Sequence, residues 1–262
     1  MSQFLVRTDH SGGIVEIALN RAPVNALSAP FLQELAATFE ALGQDPEVRA
    51  IVLTSPFKVF SAGLDLKEAQ GFDLADEQAI VGGLNTGFLA LFACPKPTLV
   101  AVEGAAIAGG LFFVLASDVR VAGPHAKFGL AEVRVGADFP VGPLEIARAT
   151  LSVNDLRWLM LSGEPIEAEA AVASGMIDEV TDAGAAREQA LVMAQDMARI
   201  PPLTYARVKR QIRGEVIDRI EAAMAAGANM PEDGWFNSET KAAMRRMIGD
   251  APRPPEEGET TS

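Results

Sequence analysis

The sequence predicts an α/β fold, and three observations carry that reading. Short β-branched runs alternate with helical segments through the first two-thirds of the chain. Beyond Gly136 the pattern becomes mainly helical. Of 262 residues 49% are hydrophobic but only 6% are aromatic, so the apolar mass is Ala, Val, Leu and Ile. That composition suits helices packed on a sheet better than an aromatic-rich sandwich. The length accommodates one large domain, alone or with a small appendage.

The elements follow in order. Ile14 to Leu19 alternates and reads as a strand. Asn20 to Asn25 is a turn containing Pro23. Ser28 is the expected N-cap of a helix reaching about Leu42, with Pro30 in its first turn. Ala50 to Thr54 is a short buried strand, Ser55 to Gly63 a loop, and Leu64 to Ala69 a short helix. A longer helix is expected from Glu77 to Ala93. Strand Thr98 to Val102 leads through the small-residue turn Gly104 to Gly110 into a helix from Leu111 to Ser117. Val119 to Ala122 is a further strand. Helices are then expected over Pro143 to Thr150, Val153 to Ser162 and Ala168 to Ser174, the last closed by Gly175. A strand from Met176 to Val180 precedes helices Ala185 to Arg199, Leu203 to Ala226 and Ser238 to Ile248. Residues 251–262, rich in Pro, Glu and Thr, read as a disordered tail.

Composition removes several function classes. A formal net charge of −13 repels phosphate backbones, which argues against nucleic acid as a partner. The longest apolar stretch, Pro97 to Leu115, is interrupted by Glu103, Gly104, Gly109 and Gly110, so it reads as strand, turn and helix rather than a membrane span. The N-terminus lacks the basic start and apolar run of a secretory signal, and a cytoplasmic location is the expectation. The lone Cys94 reads as structural. Neither His10 nor His125 has a second metal-ligand type at a recognised spacing, so no metal site is expected. There is no Gly-x-Ser-x-Gly elbow and no Gly-x-Gly-x-x-Gly fingerprint. Gly104 and Gly109 have the Walker A separation but no lysine follows them.

Carboxylates and backbone remain. Phe60-Ser61-Ala62-Gly63-Leu64-Asp65-Leu66 and Gly104-Ala105-Ala106-Ile107-Ala108-Gly109-Gly110 each follow a strand and precede a helix. Such turns present unpaired N–H groups where negative charge is favoured. Two of them facing one carbonyl would form an oxyanion hole. The same turns also read as tight strand-to-helix connections with no chemical role. Glu132, in Lys127-Phe128-Gly129-Leu130-Ala131-Glu132-Val133, is a lone acid among small and apolar residues. In an apolar pocket its pKa would rise and suit proton transfer. On a solvated loop it would do nothing.

These stretches, in this order, resemble the enoyl-CoA hydratase/isomerase (crotonase) superfamily. The resemblance begins at Ile14 to Arg21 with Asn25-Ala26-Leu27. It continues through Val48 to Thr54, Phe60 to Leu66, Lys96-Pro97, Gly109-Gly110 and Ala116 to Ala122. It ends with Leu161-Ser162-Gly163-Glu164-Pro165-Ile166 and Ala170 to Val180, covering roughly residues 10 to 250. It implies a crotonase-type ββα spiral core over residues 1–195 and a C-terminal helical trimerisation region over 196–250. The assembly it implies is a homotrimer or a dimer of trimers. The ligand it implies is an acyl-CoA thioester, with no separate cofactor because coenzyme A is part of the substrate. Carried over by position, the oxyanion amides are those of Leu64 and Gly109. Ala26, Ala62, Asp65, Leu66, Gly110 and Phe112 contact the substrate, and Lys67 is a candidate phosphate neighbour.

Two departures bear on the reaction. Hydratases of this family use two glutamates. One place, three residues after the second oxyanion glycine, holds Phe112 here, and the other is retained as Glu132. A single base beside an enolate hole suffices to move a proton between carbons, so double-bond isomerisation is the favoured expectation. Hydration by Glu132, with or without Asp138, is the alternative, and a non-catalytic acyl-CoA-binding protein is a third. The loop after Glu132 also departs. Some relatives place an aspartate eight residues beyond the glutamate, where Pro140 stands here. Asp138 falls at six, and is either a second acid or a turn residue before Pro140.

Overall fold

The computed structural model describes residues 4–228 and 234–249. A six-stranded sheet runs in the order β1 (Leu5–His10), β2 (Ile14–Leu19), β3 (Ala50–Thr54), β4 (Thr98–Val102), β6 (Val119–Ala122), β9 (Glu179–Val180). Only the β1–β2 pair is antiparallel. Every residue of β3 and β4 is buried, because both faces of the sheet are covered. On one face α8 (Ala186–Met197) lays Ala186, Ala190 and Ala194 against Val52, Leu99 and Val121. Small side chains at four-residue spacing let that helix sit close. On the other face the main core gathers α1 (Ala29–Gln44), α3 (Leu74–Ala93) and α4 (Leu111–Ala116).

A smaller sheet joins β5 (Ala105–Ile107), β7 (Lys127–Gly129) and β8 (Ile166–Glu167). Two isolated bridges, Leu27 to Leu64 and Ser61 to Ala106, extend its pairing pattern. The chain therefore repeats one path: a strand in the large sheet, a short extended contact in the small one, then a helix. Starting from β2, β3, β4 and β6, these passes end in α1, α3, α4 and α5 (Val141–Thr150). This is the expected ββα spiral of a mixed α/β fold.

The differences from expectation have local causes. Strand β1 was not foreseen because only Leu5 in it is buried, so no apolar alternation marks it. Helix α3 begins one turn early, at a reciprocal Asp73–Asp76 capping box that apolar periodicity does not register. The short helix α2 is Leu66–Ala69 with Asp65 as N-cap, which leaves Leu64 outside it. The small-residue turn contains β5, hidden by its alanines. The expected strand from Met176 shrinks to β9, because Met176 and Ile177 bond back to Ala171 at the end of α7 (Ala168–Ala173). Helix α6 (Val153–Ser162), α9 (Pro202–Ala225) and α10 (Thr240–Met247) lie close to expectation. The tail over 251–262 lies outside the described residues. No helix among the described residues is long and apolar enough to cross a membrane.

Candidate active site

The site is assembled by the turn after β2. Asn25 adopts a positive φ of 47°, tolerable for asparagine. Its side chain then reaches three ways. Oδ1 accepts from the Arg21 amide at 2.8 Å, and Nδ2 donates to the Phe60 carbonyl at 2.8 Å and to Ser55 Oγ at 2.9 Å. Ser61 Oγ returns a bond to the Asn25 carbonyl at 2.8 Å. The first Gly-containing turn is thus fastened to the β2 turn. It is fastened to the second by Phe60 N–H on Ala105 O, 2.9 Å, and Ile107 N–H on Ser61 O, 3.0 Å.

The two turns meet at Gly63. Its φ is +78°, and a Cβ there would fall 2.7 Å from Ala108 Cβ and 2.9 Å from Ile107 O. Only glycine allows that approach. Ala108 itself sits at φ 52°, a strained value for alanine at the tip of the second turn. Leu27 N–H bonds to Gly63 O and Asp65 N–H to Leu27 O, so Leu64 is gripped on both sides. The amides of Leu64 and Gly109 take no part in the bonds joining the turns. Both residues line one cavity of about 530 Å³. Gly109 also lies in the first turn of a 3-10 helix running into α4, where N–H groups lack internal acceptors.

Glu132 lines the same cavity, at the start of a 3-10 helix, Glu132–Val135. It is 8% exposed, and its Oε2 is buried with no hydrogen-bond partner among the described residues. Burial pushes its carboxyl up to about 8, and its own backbone N–H offsets little of that. Phe112, from α4, is also in the wall. Its ring lies 5.5 Å from Phe88 and 6.4 Å from Phe139, so this side of the pocket is apolar.

Of the other expected contacts, Ala26, Ala62, Asp65, Leu66 and Lys67 line the cavity. Gly110 does not: it packs on Ser61, where a Cβ would lie 2.3 Å from the carbonyl oxygen. Asp138 is not in the wall either, and its Oδ1 accepts the Trp235 indole N–H at 2.8 Å. Sequence reasoning assigned no role to Arg21, although it lines the cavity. It donates to the Ala26 carbonyl at 2.7 Å and pairs with Asp65 and Glu68. Nor did it place Trp235, Met244, Met247 and Ile248 here; about a hundred residues separate them from Glu132 and no motif marks them. Among the described residues no cluster of three or more His, Cys, Asp or Glu side chains could hold a metal ion.

Residues 9–247 match the family described as enoyl-CoA hydratase/isomerase. The chain belongs to that family. Enoyl-CoA hydratase/isomerase relatives of this chain carry different activities in their names. The probable mitochondrial enoyl-CoA hydratase 2 of Arabidopsis thaliana is 33% identical over 223 residues, covering 84% of this chain and 72% of the relative. Carnitinyl-CoA dehydratase of Citrobacter koseri is 32% identical over 214 residues, 81% of each. The crystal structure of human mitochondrial delta3-delta2-enoyl-CoA isomerase superposes with a TM-score of 0.84 at 25% identity, over 94% of this chain and 97% of that one. Membership makes the chain an acyl-CoA enzyme of the hydratase/isomerase type.

Proposed function

We propose that this protein shifts the double bond of an enoyl-CoA thioester, with Glu132 as the proton carrier. The thioester oxygen accepts the amides of Leu64 and Gly109. Glu132 removes a proton from the carbon between the carbonyl and the double bond. The electron pair moves onto the carbonyl oxygen, where the two amides hold the charge. The same carboxyl returns the proton at the far end of the conjugated system, and the double bond comes to rest beside the carbonyl. No water is consumed.

One observation carries this reading: a buried carboxyl, whose Oε2 has no hydrogen-bond partner among the described residues, faces a pocket whose other hydratase position is phenylalanine. A carboxyl raised to about 8 is also a stronger base than an ordinary glutamate, which suits a carbon acid. Hydration is favoured by the name of the Arabidopsis relative, but it would have to run on Glu132 alone, since Asp138 is engaged by Trp235. The two part in one assay. Incubation with 3-enoyl-CoA should produce conjugated 2-enoyl absorbance. If 2-enoyl-CoA instead loses that absorbance faster than 3-enoyl-CoA gains it, the isomerase reading fails.

The assembly we propose is a trimer or a dimer of trimers. Large apolar side chains left exposed on α6 and α9, among them Val153, Leu161, Leu203 and Ile212, support burial between subunits.

A further inference from the structure

The segment from Gly234 through α10 is tied to both halves of the site. Glu77, buried in the first turn of α3, accepts the Trp235 amide at 2.6 Å and the Phe236 amide at 3.0 Å. Gly234 permits that approach: its φ is +90°, and a Cβ would lie 2.4 Å from the Glu77 carboxylate. Phe236 stacks on Phe72 at 6.1 Å. On the other side, the Trp235 indole donates to Asp138, and Thr240 Oγ1 and Asn237 Nδ2 donate to the Gly136 carbonyl at 2.6 Å and 3.0 Å. The segment therefore straps the loop between α2 and α3 to the loop that follows Glu132. Proton transfer needs none of these bonds. They hold the Trp235 ring in the cavity wall in one orientation.

The cavity wall is segregated by charge. Apart from Glu132, its charged members are Arg21, Asp65 and Lys67, from two segments joined by the Arg21–Asp65 pair. The rest of the wall is apolar. A thioester with its oxygen on Leu64 and Gly109 and its charged carrier toward Arg21 and Lys67 sends its acyl chain into that apolar remainder.

We propose that Trp235, aimed by Asp138, is a specificity-determining residue that limits the length of acyl chain the site accepts. Asp138 is then a positioning residue for the indole. The inference rests on the acyl-CoA reading above, but not on which reaction follows.

The test uses binding, so no turnover is required. Dissociation constants are measured by calorimetry on the full chain for CoA and for saturated acyl-CoAs from butanoyl to hexadecanoyl. Each buried methylene should tighten binding about fourfold until the chain meets Trp235, after which affinity levels off. Trp235→Ala moves that break to longer chains. Trp235→Phe, which keeps a smaller ring and loses the N–H that Asp138 accepts, moves the break less than Trp235→Ala. Asp138→Ala, which releases the indole, blurs the break and lets longer chains gain. A break unmoved in both Trp235→Ala and Asp138→Ala overturns the inference. So does uniform weakening at every length, the mark of a merely structural role. If Trp235→Ala binds nothing because it does not fold, Asp138→Ala decides alone. Failure of CoA and every acyl-CoA to bind the unaltered protein overturns the acyl-CoA reading, and this inference with it.

Discussion

Asp118 and Glu132 are both carboxyls with little exposure, 11% for the Asp118 side chain and 8% for Glu132, and their surroundings treat them in opposite ways. Asp118 lies between α4 and β6. Its Oδ2 accepts the Thr98 amide and hydroxyl, both at 2.9 Å, Tyr205 OH at 2.8 Å and Lys209 Nζ at 2.7 Å, while Arg213 pairs with Oδ1 at 2.9 Å. Burial alone would raise it, but Lys209 and Arg213 outweigh burial and hold it below the usual carboxylate range. Glu132 is buried without such cations, and is pushed up to about 8. The first group fastens α9 to the sheet as a permanent anion. The second is kept protonated by burial, at a cost in stability, and in the proposed reaction it is the group that takes up and returns the proton.

Removing the function of the second carboxyl should give the largest effect. Glu132→Gln is expected to lower turnover about 10²–10⁴-fold while saturated acyl-CoA still binds. In the wild type, kcat/KM should rise with pH through about 8, because the carboxyl must ionise to accept a proton. A flat profile from pH 6 to 9 would remove Glu132 as the base.

Breaking the first carboxyl should cost stability instead. Asp118→Asn leaves Lys209 and Arg213 buried without their anion, and a loss of about 3–5 kcal/mol in urea unfolding is expected. Because Asp118 is depressed when folded, its contribution is present above about pH 4 and is lost as pH falls through its folded value.

The comparison sharpens in the pH dependence of stability. Glu132 is raised on folding, so the wild type loses stability as pH climbs from 4.5 to about 8, where the unfolded chain ionises and the folded chain resists. Glu132→Gln escapes that loss. It should be the more stable protein near neutral pH by roughly 2–3 kcal/mol, with no gap below pH 4. Equal unfolding curves near neutrality would show that Glu132 carries no burial penalty.

A smaller effect separates the two Gly-containing turns, the proposed oxyanion hole, from both carboxyls. Gly63→Ala forces a Cβ against Ala108 and keeps a positive φ. It should destabilise by about 1–3 kcal/mol and lower kcat more than it weakens binding of free CoA.

Much of this was legible in the chain. Strands buried on both faces announce themselves as unbroken apolar runs, as in β3 and β4. Helices with a capping serine or a closing glycine announce their ends. The two Gly-containing turns and Glu132 stood out because each interrupts an otherwise apolar segment. What stayed hidden either lacks a local period or depends on distant partners. Strand β1 is exposed, and β5 is made of alanine and isoleucine inside a turn. Arg21 and Trp235 belong to the cavity only because segments far apart in sequence meet there.

The sequence by itself determined which backbone segments could be strand, turn and helix, and which residues carried ionisable groups. Tertiary structure alone decided what those groups became. Both Asp118 and Glu132 carry a carboxyl, and the sequence alone does not say which of them gains a cation as neighbour. Lys209 and Arg213 reach the first from some ninety residues away, while the second shares a largely apolar cavity wall with Phe112 and Met244. Electrostatics follows distance through space, and distance through space is what folding supplies.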